Sequence, residues 1–347
     1  MSPPEQALLD GHWVKLICGA SNQDLVSIED LCGIYALAGV HCIDVAADPA
    51  VAAAARRGIA WARERQAADR PPPWLMLSLS DGADPHFRKA WFDPRSCPPD
   101  CPRPCARVCP AQAIPEGEGV LAERCYGCGR CLPACPHGLI EERGHLLAAE
   151  AVGPLLARLR PDAVELHTRP ERGDAFARRL DQVVASGVPL RRLAVSCGLE
   201  AGAGAELAAE LWRRFALLRQ AGLRPLWQLD GRPMSGDVGA GTAHAAVRLL
   251  KRVGPLAPPG PLQLSGGTNE RTIALLERDL PTAVAGVAFG GAARKLLLPL
   301  LQEAQRRGRR LLDDPELWPR ARARAEGLVL PWLQRGACAA SVSAASL

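Results

Sequence analysis

Eight cysteines crowd the segment between Cys97 and Cys135, and no other feature of the chain restricts its fold and chemistry so narrowly. The second run reads Cys125-Tyr-Gly-Cys128-Gly-Arg-Cys131-Leu-Pro-Ala-Cys135-Pro136, with gaps of two, two and three residues and a closing proline. That is the spacing of a thiolate run that holds an iron–sulfur cluster. Two-residue gaps let a tightly curved loop aim three thiolates at one cubane, and Gly127 and Gly129 permit the curvature without a clash at Cβ. The first run, Cys97-Pro-Pro-Asp-Cys101-Pro-Arg-Pro-Cys105-Ala-Arg-Val-Cys109-Pro110, has three-residue gaps throughout. Its ending recurs in the second: Cys109-Pro-Ala-Gln-Ala-Ile against Cys135-Pro-His-Gly-Leu-Ile. A pair of structural zinc sites is the alternative use of such cysteines, but zinc sites rarely combine cysteine triplets with a doubled Cys-Pro ending. Thirteen cysteines, eight of them in one segment, favour metal ligation over disulfides, because a reducing compartment keeps thiols available.

The segment resembles the two-cluster ferredoxins of bacteria over about 50 residues, in its second run and in its internal repeat. Carried over position by position, the resemblance implies one [4Fe–4S] cluster on Cys97, Cys101, Cys105 and Cys135, and a second on Cys109, Cys125, Cys128 and Cys131. The wider gaps of the first run leave its cluster open between a four-iron form, a three-iron form and a partial ligand set. Arg95, Arg103, Arg107, Arg124 and Arg130 lie near the ligands in sequence, where positive charge would stabilise a reduced cluster. Each is equally read as a solvated surface arginine.

Outside this segment, short apolar runs alternate with helical patterns, the signature of βαβ units and a parallel sheet. Eight runs are legible: Trp13–Cys18, Cys42–Ala46, Trp74–Leu79, Ala163–His167, Leu193–Cys197, Pro225–Leu229, Leu262–Ser265 and Val284–Phe289. Eight such repeats predict an α/β fold, a (β/α)₈ TIM-like barrel, with the cysteine module inserted after the third strand. The expected division is residues 1–84 for the first part of the barrel, 85–145 for the ferredoxin-like insertion, 146–335 for the remaining barrel and 336–347, with Cys338, for a disordered tail. Helices are expected from Ile28 to Ala38 after Ser27, from Leu146 to Leu159, from Asp174 to Ala185 and from Gly204 to Ala221.

Two late strands end in glycines, at Leu264-Ser265-Gly266-Gly267-Thr268-Asn269 and at Val287-Ala-Phe-Gly290-Gly291. These are the two places where phosphate-binding barrels hold an anion on backbone amides. Ser265, Gly266, Gly267, Thr268, Gly290 and Gly291 are therefore a candidate site for a phosphate-bearing ligand such as FMN, with Arg294 or Lys295 to balance charge. Tight βα turns explain the same glycines equally well. Other polar residues at strand ends are Ser21, Asn22, Asp44, Ser80, Asp81, His167, Arg169, Cys197, Asp230 and Arg232, and no catalytic pair stands out among them. Cys18, Cys32, Cys42 and Cys197 read as small buried hydrophobes.

The formal charge of +5 is scattered over arginines, with only four lysines and no basic block interleaved with aromatics, so nucleic-acid binding is not indicated. No apolar run approaches the roughly 20 residues that span a bilayer, and no secretory leader is visible, which predicts a cytoplasmic protein without a transmembrane segment.

The order of pieces, with Val14-Lys-Leu-Ile-Cys-Gly-Ala-Ser-Asn-Gln-Asp24 first, the eight cysteines next and Leu264-Ser-Gly-Gly-Thr-Asn-Glu270 late, resembles the cyanobacterial light-dependent period family. The resemblance implies an iron–sulfur redox sensor that relays light-dependent redox state to the circadian clock, with clock input proteins as partners and quinones or ferredoxins as candidate redox partners. A second function class fits the residues too: a barrel oxidoreductase binding flavin or another phosphate-bearing ligand and fed electrons by the module. A purely structural use of the clusters is the third.

Overall fold

The computed structural model describes residues 3–18, 24–67, 70–84, 87–198, 204–231, 241–279 and 284–335. Among the described residues ten strands are formed: β1 (Trp13–Ile17), β2 (Cys42–Ala46), β3 (Trp74–Ser80), β4 (Arg88–Trp91), β5 (Glu141–Gly144), β6 (Ala163–His167), β7 (Arg192–Gly198), β8 (Pro225–Asp230), β9 (Leu262–Ser265) and β10 (Gly286–Phe289). All eight expected runs become strands of one closed barrel in the order β1, β2, β3, β6, β7, β8, β9, β10. Every pair is parallel, and β10 closes on β1 with Leu16 opposite Phe289.

The alternation within each strand explains the closure. Val14, Leu16, Ile43, Val45, Leu77, Val164, Leu166, Val195, Leu229, Leu264 and Val287 belong to a large core shared with the surrounding helices. The alternate positions Trp13, Cys42, Met76, Ala163, Ala194 and Leu226 form a separate buried cluster that fills the amino end of the barrel. Leu8, from the helix α1 (Pro3–Asp10), joins that cluster, and Glu5 on the same helix pairs with Arg192 and Arg224.

The remaining helices are α2 (Leu25–Ala38), α3 (Pro49–Arg63), α4 (Pro104–Arg107), α5 (Cys131–Ala134), α6 (Ala149–Leu159), α7 (Gly173–Ala185), α8 (Gly204–Gln220), α9 (Ala243–Val253), α10 (Thr272–Asp279), α11 (Gly291–Arg306) and α12 (Leu317–Leu333). Helix α2 starts earlier than Ser27 implied. Asp24 is its N-cap and accepts the Ser27 N–H at 2.9 Å, so the start was displaced by a stronger capping carboxylate upstream. Helix α6 begins at Ala149, three residues inside the expected start. Helices α2 and α3 cross where Gly33 meets Gly58, and a Cβ on Gly58 would stand 2.4 Å from the Glu29 carbonyl oxygen.

The cysteine segment lies between β3 and α6, framed by the antiparallel pair β4 and β5, in which Arg88 faces Gly144 and Trp91 faces Glu141. Among the described residues, no helix is long and apolar enough to cross a membrane. The expected disordered tail, residues 336–347, lies outside the described residues.

Candidate metal centre

The cysteine segment builds a small core of its own from Ala90, Phe92, Ala113, Ile114 and Ile140 together with Cys105, Cys125 and Cys131. Its repeat is visible in the backbone. Cys105 lies in the short helix α4 and Cys131 begins α5, and each is followed four residues later by a Cys-Pro. The Ala113 N–H donates to Cys109 Sγ at 3.3 Å, and the Leu139 N–H donates to Cys135 Sγ at 3.4 Å. Three residues beyond each of these cysteines stands a left-handed residue, Gln112 with φ 49° and Gly138 with φ 63°. Gly127 and Gly129 also take positive φ, 79° and 75°, which is the curvature expected of the second run.

The eight thiols fall into two neighbourhoods. Cys109, Cys125, Cys128 and Cys131 line one cavity, with Ala113, Ile114 and Val120 on its apolar side. Burial, and then Cys128, Cys125 and Cys109 in that order, push the Cys131 thiol up to about 12. In the other group burial and then Cys101 raise the Cys97 thiol, while Cys105 is raised by burial and, among its thiol neighbours, by Cys135 and then Cys101. Partial burial also acts to raise Cys135, yet the N–H groups of Leu139, His137, Ile140 and Gly138 outweigh it and hold the thiol below its usual range. Among the described residues no group of three or more His, Cys, Asp or Glu is placed to hold a single metal ion. A cluster makes a different demand, one thiolate for each of several irons around a cavity with N–H groups directed at sulfur, and the cysteines of this segment fit it.

The group containing Cys128 sits against the barrel. Cys128 and Ala111 pack on the barrel's main core, and Tyr126 is part of it. Arg130 pairs with Asp24, the cap of α2, at 3.3 Å. Cys97 and Cys135 pack instead in the segment's own core. Most of the neighbouring arginines have partners within the chain: Arg95 with Asp93 at 3.0 Å, Arg103 with the Pro115 carbonyl at 2.7 Å and Arg124 with the Gln112 carbonyl at 3.4 Å. Arg107 is exposed.

At the carboxyl end of the barrel, Ser265 ends β9 and is followed by Gly266, Gly267 and Thr268, and Gly290 and Gly291 join β10 to α11. The structure brings these two turns together. Thr268 Oγ1 donates to the Ala288 carbonyl at 2.5 Å, Thr242 Oγ1 donates to the Gly267 carbonyl at 2.6 Å, and Asn269 Nδ2 donates to Thr242 Oγ1 at 3.3 Å. Gly267, at φ 98°, lies so close to Thr242 that a Cβ would stand 3.0 Å from the Thr242 carbonyl oxygen. These hydroxyls and this backbone thus knit β9, β10 and the start of α9. Arg294 donates to the Ile17 carbonyl at 3.2 Å, and Lys295 is exposed. Ser21, Asn22 and Arg232 lie outside the described residues, and Cys18, Cys32, Cys42 and Cys197 are buried.

Sequence reasoning singled out Asp44, His167 and Asp230 but missed the polar layer that they belong to inside the barrel, above its apolar end. Lys15 on β1 is fully buried and forms ion pairs with Asp44 at 2.9 Å and with Glu165. Ser78 donates to Asp44 at 2.6 Å, and Gln228 Nε2 donates to Glu165 at 2.9 Å and to Asp230 at 3.2 Å. Trp13 Nε1 and Gln263 continue the chain of donors at 2.5 Å each, from Trp13 to Gln263 and from Gln263 to Gln228. At the mouth His167 stands 3.1 Å from Glu165 and 3.2 Å from Asp84. Burial acts to lower its pKa, but Asp84 and then Glu165 raise it well above the usual value. The overlooked signal is a polar residue inside four of the apolar runs: Lys15 in Trp-Val-Lys-Leu-Ile, Glu165 in Ala-Val-Glu-Leu-His, Gln228 in Leu-Trp-Gln-Leu-Asp and Gln263 in Leu-Gln-Leu-Ser.

Residues 97–146 match the family model described as the LdpA Fe-S cluster-binding domain, and residues 155–331 match the Light dependent period A C-terminal domain. The chain is an iron–sulfur protein. Among solved structures it is similar to the YdjI aldolase of Escherichia coli K12, at 9% identity over 97% of this chain and 96% of that one, with a TM-score of 0.47. A fructose-1,6-biphosphate aldolase-like protein from Coccidioides immitis is similar at 13% identity over 96% and 93%, with a TM-score of 0.44. The barrel assignment stands on the strand pairing alone, and these likenesses carry nothing about activity. Over 337 residues, 95% of this chain and 94% of its relative, the sequence is 48% identical to Light dependent period A of Synechococcus elongatus, and the chain belongs to the light dependent period A family.

Proposed function

We propose that the protein is a non-enzymatic redox sensor carrying two [4Fe–4S] clusters, which passes light-dependent cellular redox state to the circadian timing machinery. One cluster is held by Cys97, Cys101, Cys105 and Cys135, the other by Cys109, Cys125, Cys128 and Cys131. The observation that carries this reading is the sorting of the eight thiols into two neighbourhoods, each completed by a cysteine from the other sequence run. Such clusters take up and release single electrons. The chain's part is to direct the Ala113 and Leu139 N–H groups at sulfur, which favours the reduced state, and to press one ligand group against the barrel. A charge change there acts on the Arg130–Asp24 contact between module and barrel, which can bias affinity for a partner. The relative's name supports clock input proteins as those partners, and quinones or ferredoxins as electron donors in the cytoplasm complete the reading.

The test is anaerobic purification with iron, sulfide and flavin assays, followed by electron paramagnetic resonance during a redox titration. About eight irons per chain and two bleaching transitions support the reading. Zinc in place of iron overturns it. The clock role is tested separately: in a Synechococcus elongatus strain lacking its own relative, this chain should restore the dependence of free-running period on light, and a Cys131→Ser variant should not.

The polar layer with Lys15, Glu165 and His167 favours a second reading, a barrel oxidoreductase with flavin or another phosphate-bearing ligand. Stoichiometric flavin in the purified protein would decide for it.

A further inference from the structure

A cleft opens between the cysteine module and the barrel, where the ends of β2 and β3 meet α6. Its volume of about 670 Å³ lies within the roughly 300–1,000 Å³ of common small-molecule pockets. Its walls are apolar, with Leu79, Phe87, Leu147 and Leu155 among them. Its deeper lining is polar and leads to both functional centres. Tyr126 on one side neighbours the Cys128 thiol, and Ser78 on the other donates to Asp44 of the barrel's buried layer. Phe87 extends the connection, packing edge-on to His167 at 5.2 Å between ring centres.

The charges of the lining are unequal in their engagement. Asp48 caps α3, accepting the N–H groups of Ala50 at 2.9 Å and Val51 at 3.3 Å, and Arg88 pairs with Glu142 at 3.5 Å. Lys89, half-buried, reaches the Ala122 carbonyl, and Arg158 stands on α6. Glu123 is the second carboxylate of the lining, so three cations, Arg88, Lys89 and Arg158, face two acids and the cleft lacks one negative charge. An anion in the cleft would supply that charge, while the apolar walls would cover a hydrophobic body.

We propose that this cleft binds a small organic molecule with an apolar body and an anionic end, seated between Tyr126 and Ser78 with its anion at Lys89. Such a ligand would touch module and barrel together, so its binding would favour the docked arrangement of the two. The site goes beyond the sensor reading and stands whether or not the clusters change oxidation state.

The test uses the full chain with its clusters, kept anaerobic, and two fluorescent probes. One is 8-anilinonaphthalene-1-sulfonate, aromatic and anionic, and the other is the neutral N-phenyl-1-naphthylamine. The anionic probe should bind one per chain and about tenfold more tightly than the neutral one, the effect expected of a single charge-assisted contact. Ala151→Trp, which fills the cleft from α6, should abolish binding of both probes. Lys89→Met should remove the preference for the anion and leave the neutral probe unaffected. If Ala151→Trp loses its barrel by circular dichroism, Lys89→Met carries the test alone. Several probes bound per chain, equal affinity for the two probes, binding unchanged in a folded Ala151→Trp, or an anion preference that survives Lys89→Met would overturn the proposal. Iron content, measured on the same sample, reports on the clusters independently.

Discussion

Lys15 Nζ lies 2.9 Å from the Asp44 carboxylate at the centre of the barrel, with neither side chain more than 1% exposed. Burial alone would strip the lysine of its proton, yet Asp44 and then Glu165 hold it well above its ordinary pKa. Glu165 is the counterpart: burial would raise it, and Lys15, followed by His167, brings it down to about 2. Asp44 differs, since burial raises it in spite of Lys15, and the three groups inside the barrel depend on one another as a set.

Removing the cation should expose that dependence. Lys15→Met removes the ammonium between Asp44 and Glu165 and leaves only His167 beside Glu165, and taking one partner out of such a buried set costs about 3–5 kcal/mol. Urea unfolding followed by circular dichroism should show a loss of that size. A change below about 1 kcal/mol would mean that the triad is not closed as described.

Histidine 41 sets an acid limit at the other end of the barrel. Its Nδ1 accepts the Val14 N–H at 3.2 Å, a bond that a proton on Nδ1 would break. Burial, with smaller contributions from Arg70 and His12, lowers the ring from 6.5 to about 4. The unfolded chain therefore binds a proton that the folded chain refuses between these values, and stability falls as pH drops through 6.5 toward 4, by up to about 1.4 kcal/mol per pH unit. His41→Asn keeps an acceptor for Val14 and does not titrate. Between pH 7 and pH 5 the native protein should lose more stability to urea than this variant does, and equal losses would show that His41 is already charged in the fold.

The proposed ligand sets cross the two sequence runs, and single substitutions can reveal the crossing. Cys135→Ser should remove the cluster shared with Cys97, Cys101 and Cys105, although Cys135 follows the other run. Cys109→Ser should remove the one shared with Cys125, Cys128 and Cys131. Each variant should keep about four of about eight irons. The paramagnetic signal of the Cys135→Ser sample should match that of Cys101→Ser, and a match to Cys128→Ser instead would reverse the assignment.

The barrel was legible because the helix-facing half of every strand is uniformly apolar, and eight such runs separated by helical patterns leave few other closures. The polar layer was not. Lys15, Glu165, Gln228 and Gln263 are single interruptions of apolar runs, and each alone reads as an outlier. Only the barrel's register, which sets Gln228 opposite Gln263 and Ser78 opposite Glu165, turns them into one layer. The metal centre was legible in its spacing, since curvature and thiolate reach are local properties of the chain. Its contact with the barrel through Tyr126 and Arg130 was not, because nothing in a sequence pairs Arg130 with the cap of a helix that begins at Leu25.

The same repeat that was read from the two Cys-Pro endings contains one residue out of keeping with its backbone. Gln112 occupies the left-handed position that glycine fills in the second copy at Gly138. An L side chain there costs roughly 1 kcal/mol that glycine does not pay, offset in part by the greater freedom of glycine in the unfolded chain. Gln112→Gly should therefore leave iron content unchanged and shift the urea midpoint for loss of visible absorbance slightly upward or not at all. Gly138→Gln, which puts a side chain where the φ is 63°, should lower that midpoint by an amount equivalent to about 1–2 kcal/mol. If Gln112→Gly instead loses iron, the glutamine side chain supports the Cys109 turn directly, and the two copies of the repeat are held by different means.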